Sequence, residues 1–305
     1  MSWLLCLLLA LPGSLVRAQA PFFDGEQAYS LLIKQVAMGP RNPGSEGHAA
    51  ITAFLRDYLS SRAEDVVIQS GYRRHPYSSD TLTITNIIGR FNMAAVDRVL
   101  LLAHYDTRDQ ADLDPDSALR SQPIPGANDG ASGVAVLLTL ADLMATQLPR
   151  IGVDLLFTDA EDMGRSGDLA NFCLGAKLFV GEMESLLGGR PRYAVLLDMI
   201  GDADLSLPIE YHSWRDARQL VMRIWQLAQD LGYEQFNFEH GPAIYDDHIP
   251  FLEAGIPAVD IIDFDYGDGE QSYWHTMADT PDKCSPESLA AVGTVVATLI
   301  YTEKP

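Results

Sequence analysis

The segment VLLLAHYDTRDQAD, residues 99–112, decides how the chain is read. An aliphatic run ends abruptly in His104, Tyr105 and Asp106. Side chains two apart along a strand share a face, so His104 and Asp106 are expected to project together. Such a pair serves as a capped turn, a charge relay or half of a metal site. Two further apolar runs end in acids: GVDLLFTDAED (152–162) at Glu161 and Asp162, and RYAVLLDMIGD (192–202) at Asp198. DRVLLLAHYD (97–106), DTLTITNIIGRF (80–91) and IPAVDIIDFD (256–265) read as strands from their aliphatic and β-branched content.

Between these runs lie helical patterns. FDGEQAYSLLIKQVAMG (23–39) has an Asp24 cap and a Gly39 stop, and residues 44–62 follow with Ser45 as cap. ASGVAVLLTLADLMATQL (131–148) is apolar enough to lie flat on a sheet. Residues 214–232 form one helix stopped by Gly232, and residues 285–303 start with a capping box at Ser285. Continuous apolar strands alternating with helices predict an α/β three-layer sandwich, its central sheet mostly parallel or mixed, with helices on both faces. No Pro/Gly-rich linker divides residues 21–305, which are expected to form a single domain.

Lys and Arg number 21 against 42 Asp and Glu, a net charge of −21, which argues against nucleic acid and anionic membranes as partners. The first 20 residues, MSWLLCLLLALPGSLVRAQA, have the short apolar core and A-x-A ending of a signal peptide, so export, secreted or periplasmic, is expected. No later segment has the length and apolarity of a membrane helix. Beyond the leader only Cys173 and Cys284 remain; they form either one disulfide or two buried thiols. The pattern leaves the oligomeric state open.

In open α/β sheets ligands bind outside the carboxyl ends of the strands, which would bring His104, Asp106, Glu161, Asp162 and Asp198 to one crevice. Asn128-Asp129 in PGANDGASG (125–133) and His275 in SYWHTMADT (272–280) join them. Carboxylates so close repel unless a cation compensates, and mixed carboxylate and imidazole donors suit zinc. There is no H-E-x-x-H helix, so such a site is assembled from scattered strand ends. Each residue alone has a plainer reading, an Asp as a turn cap and a His as a hydrogen-bonded structural group. PGANDGASG lacks both phosphate-loop spacings, and no G-x-S-x-G elbow occurs. DLDPDS (112–117) alternates acids as a calcium loop does, but Ser117 replaces the needed glycine.

In order, HxD, NDGASG, ED, LLDMIG and WHT resemble the zinc-dependent exopeptidases. YDDHIPFLEAGIPAVDII (245–262), FCLGAKLF (172–179) and the Trp274-His275 pair are similar to one branch, the glutaminyl-peptide cyclotransferases. The resemblance spans roughly residues 25–302. It implies one zinc held by Asp129, Asp162 and His275, with Glu161 as the proton-shuttling acid. Asp198 and Asp246 match acids that hydrogen-bond in the active site; a helix cap before HIPFLEAG is the alternative for Asp246. Trp274 would wall the substrate pocket, and Phe172 stands where a pocket tryptophan is expected. The implied substrates are peptides or proteins with N-terminal glutamine, cyclised to pyroglutamate with loss of ammonia. The alternative is a two-zinc aminopeptidase in which His104 and Asp198 are also ligands and Glu161 activates water. A third possibility is a non-catalytic relative, against which the intact acid set argues.

Overall fold

The structure is a computed structural model that describes residues 20–269 and 271–305. The expected signal peptide falls, but for Ala20, outside the described residues. The strands are β1 (Asp65–Arg74), β2 (Thr81–Phe91), β3 (Arg98–His104), β4 (Gly152–Thr158), β5 (Ala194–Asp198), β6 (Leu207–Ile209), β7 (Phe236–His240) and β8 (Ala258–Ile262). The α-helices are α1 (Gly25–Val36), α2 (Glu46–Ser60), α3 (Ser132–Thr146), α4 (Leu174–Leu187), α5 (Tyr211–Asp216), α6 (Arg218–Leu231), α7 (His248–Glu253) and α8 (Pro286–Thr302).

Six strands make a mixed sheet in the order β1-β2-β4-β3-β5-β8, and β6 pairs with β7 apart from it. β4, β3, β5 and β8 run parallel, whereas β1 and β2 are antiparallel additions at one edge. The three layers follow from the period of two along each strand. Val99, Leu101, Ala103, Leu155, Phe157, Val195 and Leu197 pack with α1, α2, α3, α6 and α8 on one face. Their alternates Leu100, Leu102, Leu156, Ala194 and Leu196 meet Ala176, Phe179 and Met183 of α4 and Phe251 of α7 on the other. Both faces are buried, which is why these strands read as unbroken apolar runs. α3 lies tight on the sheet because Gly133 leaves room: a Cβ there would stand 2.0 Å from the Leu197 carbonyl oxygen.

The expected caps form, with Asp24 accepting from Gln27 N and Ser45 from His48 N. Three local readings change. β3 stops at His104, so Asp106 lies past the strand. The helix expected over 214–232 is two helices, broken at Ala217 (φ −130°, ψ 31°). Ser285 caps α8, but Ser288 occupies the place of the capping-box acid and its hydroxyl donates to the Asp202 carbonyl instead.

Candidate active site

The register aligns the carboxyl ends of the parallel strands. His104 lies opposite Thr158, and Asp198 opposite Ile262. Past these ends the chain turns, and each turn contributes a group: Asp129 before α3, Glu161 and Asp162 after β4, Asp246 before α7. His275 arrives on the loop between β8 and α8. Ligand atoms of Asp129, Asp162 and His275 all lie within 4.8 Å of one another. His275 Nε2 is 3.6 Å from Asp129 Oδ2 and 3.4 Å from Asp162 Oδ2. A second group, His104, Asp129 and Asp198, meets the same limit and shares Asp129. There His104 Nε2 is 3.0 Å from Asp198 Oδ1 and 3.3 Å from Asp129 Oδ1.

The first group fits a metal ion. Two carboxylates and one imidazole are a donor set for zinc with a position left open. Asp162 Oδ2 is buried and has no hydrogen-bond partner, an arrangement that is costly unless a cation takes the lone pair. Its other oxygen accepts from Arg108 Nη1 at 2.7 Å, so the carboxylate is fixed and only Oδ2 is free.

Neighbouring side chains hold these groups in place. Arg108, 1% exposed, also forks onto Asp112 at 2.7 and 2.9 Å and reaches the Gly164 carbonyl at 3.0 Å. Asp112 in turn faces His275 Nδ1 at 3.8 Å, leaving Nε2 for the acids. Asp106 does not line the cleft and accepts the backbone N–H groups of Glu161 (3.0 Å) and Asp162 (3.3 Å). Asp279 does the same for Asn128 and Asp129, and Tyr266 donates to it. Asn128 Oδ1 accepts from Gly201 N, tying the α3 turn to the one after β5. Gly130 (φ +96°) is needed where the turn passes Asp106, whose carbonyl oxygen would lie 2.3 Å from a Cβ. Four of the five described non-glycine residues with positive φ are here: Ala160, Cys173, Met199 and His275. Strain concentrated in this way marks turns whose shape is dictated by what they hold.

Glu161, Asp246, Asp247 and Cys173 form a third buried cluster within the same 4.8 Å. Asp246 does not cap α7. Its carboxylate accepts from Asp247 N, and the Asp247 carboxylate takes the Thr158 hydroxyl. Burial, then Asp246 and Asp162, push the Glu161 carboxyl well above the usual range. Burial, then Asp198 and Asp247, do the same to Asp246. Burial also raises Asp129, against the pull of His104. For Asp162 burial opposes ionisation, yet His275 and Arg108 prevail and hold its carboxyl below the ordinary value.

The cleft is small, ≈ 60 Å³, and is bounded by Asp129, Glu161, Asp162, Asp198, Asp246 and His275 on its polar side. Phe172, Tyr245, Ile262, Phe264 and Trp274 supply the apolar wall. Trp274 stacks on His275 (ring centres 3.8 Å apart) and packs on Phe264 (4.8 Å). Larger clefts lie away from this chemistry, among them one beside α2 and one beside Asp202 and Asp265. Cys173 and Cys284 are both buried free thiols. Sequence reasoning had not singled out Arg108, Asp247 or Asp279; the bonds by which they support the site, to Asp162, Thr158 and Asn128, each cross more than 50 residues. The calcium-like loop behaves as ordinary turns, with Asp114 accepting from Asp116 N and Met277 N, and Asp116 from Ala118 N.

The fold has clear relatives among known proteins. The crystal structure of Bacteroides thetaiotaomicron glutaminyl cyclase bound to N-acetylhistamine superposes with a TM-score of 0.87 at 35% identity, covering 94% of this chain and 100% of that one. A leucine aminopeptidase precursor from the same organism gives 0.87 at 34% identity, with 94% and 100% coverage. The glutaminyl-peptide cyclotransferase-like protein of Bos taurus is 24% identical over 95% of this chain and 79% of its own length. No described helix is long and apolar enough to cross a membrane. Residues 86–300 match peptidase family M28, and the chain belongs to that family.

Proposed function

We propose that the chain is a zinc-dependent glutaminyl-peptide cyclotransferase, acting on peptides or proteins that begin with glutamine. One observation carries this reading: a triad fit for one metal and a buried, base-competent Glu161 open together onto one small cleft walled by Phe172, Phe264 and Trp274. The full-length likeness to a glutaminyl cyclase supports it.

Asp129, Asp162 and His275 would hold the ion. When bound, zinc supplies a Lewis acid for the γ-carbonyl of the substrate. The rest of the reaction falls to the chain's own residues. Trp274, Phe264 and Phe172 exclude water and keep the side chain folded back on its own amine. Positioning matters most here, because nucleophile and electrophile belong to one residue. Glu161 accepts the proton from the α-amine as the nitrogen bonds to the γ-carbon. It returns that proton to the nitrogen that leaves as ammonia, so the carboxylate is regenerated. Asp198 and Asp246 border the same cleft and are suited to orient the amine.

A second reading rests on the group His104, Asp129 and Asp198, which with the first triad makes a two-metal arrangement suited to peptide hydrolysis. Incubation of the purified protein with a glutamine-initiated dipeptide amide separates the two. Ring closure with ammonia release and an intact peptide bond is expected. Free glutamine would support the aminopeptidase instead.

A further inference from the structure

The Glu161 carboxylate accepts one hydrogen bond among the described residues, and its donor is a thiol. Cys173 Sγ lies 3.3 Å from Glu161 Oε1, and both residues are buried. Two backbone bonds fix this approach: Cys173 N donates to the Glu161 carbonyl at 2.8 Å and Leu174 N to the Ala160 carbonyl at 3.1 Å. Cys173 has φ +55°, a left-handed conformation that a non-glycine residue keeps only under constraint. No cap closes α4 at Cys173, so the side chain is free to serve the glutamate.

We propose that Cys173 is a positioning residue for the cyclisation, its S–H holding Glu161 Oε1 so that Oε2 faces the cleft. The proposal rests on the cyclase reading and names the group that aims its base. A thiol suits the task. It is a weak, uncharged donor, so it orients the carboxylate without cancelling its basicity as an arginine or lysine would. The surroundings keep it a donor: burial, then Glu161, Asp247 and Asp246, hold the thiol far above its ordinary range. An ionised sulfur there would be a fourth anion among three carboxyl groups.

The test compares Cys173→Ala and Cys173→Ser, both of which keep a Cβ in the same left-handed backbone. With a glutamine-initiated dipeptide amide, Cys173→Ala is expected to lower kcat roughly tenfold or more, with KM within about twofold and zinc content unchanged. Cys173→Ser, which restores a donor, is expected to recover most of the loss. Wild-type kcat in Cys173→Ala, or equal impairment of both variants with matching loss of Tm, overturns the proposal and makes Cys173 a packing residue. Failure of the wild-type protein to cyclise the substrate would instead remove the cyclase reading. Should the variants not fold, the S–H stretching band answers in intact protein. One thiol band is expected to rise in frequency in Glu161→Gln, where the acceptor is neutral. A spectrum identical to wild type contradicts the hydrogen bond.

Discussion

Two acid-rich stretches, Asp112–Ser117 and Asp159–Asp162, have similar compositions and opposite chemistry. In the first, every acid is satisfied by a donor. Asp112 holds Arg108, Asp114 accepts two backbone N–H groups and Asp116 one. In the second, Asp159 is likewise satisfied, by His48 and Thr85 N, but Glu161 has a single thiol donor and Asp162 Oδ2 has none. An acid therefore becomes a candidate ligand or base through what the fold withholds from it, and not through its neighbours in sequence. Buried and unsatisfied carboxylates are costly in an apo chain and useful once a cation or a substrate amine arrives.

The contrast can be broken most sharply at Asp162. Asp162→Asn should abolish zinc binding and lower kcat by about a thousandfold or more, since several kcal/mol of electrophilic assistance disappear with the ion. Glu161→Gln, one residue away, should lower kcat by roughly 10²–10⁴ while zinc content measured by atomic absorption stays at the wild-type value. Equal metal loss in both variants would merge two roles that we keep apart. Arg108→Gln removes the partner that fixes Asp162; zinc affinity by competition titration should weaken about 10–100-fold.

Glu210 extends the comparison to stability. It is 2% exposed and accepts N–H groups from His212, Ser213 and Ile244. Burial alone would raise its carboxyl; His248 and the Ser213 and His212 donors prevail and pull it from 4.5 to about 2. His248 gives the largest pull, followed by the Ser213 and His212 backbone donors, although burial pushes His248 itself toward neutrality. The folded value is depressed, so the stabilisation is present above pH 4.5 and disappears as pH falls toward 2. It is worth on the order of 2–3 kcal/mol. Urea unfolding of Glu210→Gln across that window should show a flatter acid limb than wild type. The smallest effect belongs to exposed Asp116: Asp116→Asn should shift stability by less than about 0.5 kcal/mol and leave zinc content and rate unchanged.

How much of this was legible in the sequence tracks how local each cause is. β3, β4, β5 and β8 were visible because burial on both faces leaves unbroken aliphatic runs, and the acids and histidines stood out at their ends. β1 was missed because its edge position leaves most of it exposed, so DVVIQSGYRR carries only the short apolar run Val66–Ile68 before polar residues. α4 was missed because it starts at a left-handed Cys173 without a capping side chain. The break at Ala217 was hidden because α5 and α6 share one continuous polar and apolar pattern across it. Within the site, the grouping of Asp129, Asp162 and His275 was implied by the resemblance to the glutaminyl-peptide cyclotransferases, and the residues do lie together. The supports were not: Asp106, open in the sequence as a turn cap, a relay or half of a metal site, braces the Glu161-Asp162 turn. Arg108 reaches Asp162, and Asp279 the Asn128-Asp129 turn, far away in the chain, and no spacing rule announces those bonds.

The central claim concerns the orphaned Asp162 oxygen and the two groups around it. Anomalous diffraction at the zinc edge, on crystals of the protein as isolated, addresses it most directly. We expect a single peak bonded to Asp129, Asp162 and His275, with zinc–nitrogen and zinc–oxygen distances of about 2.0–2.2 Å. A map without a peak there, or with a second zinc between His104 and Asp198, would contradict the account.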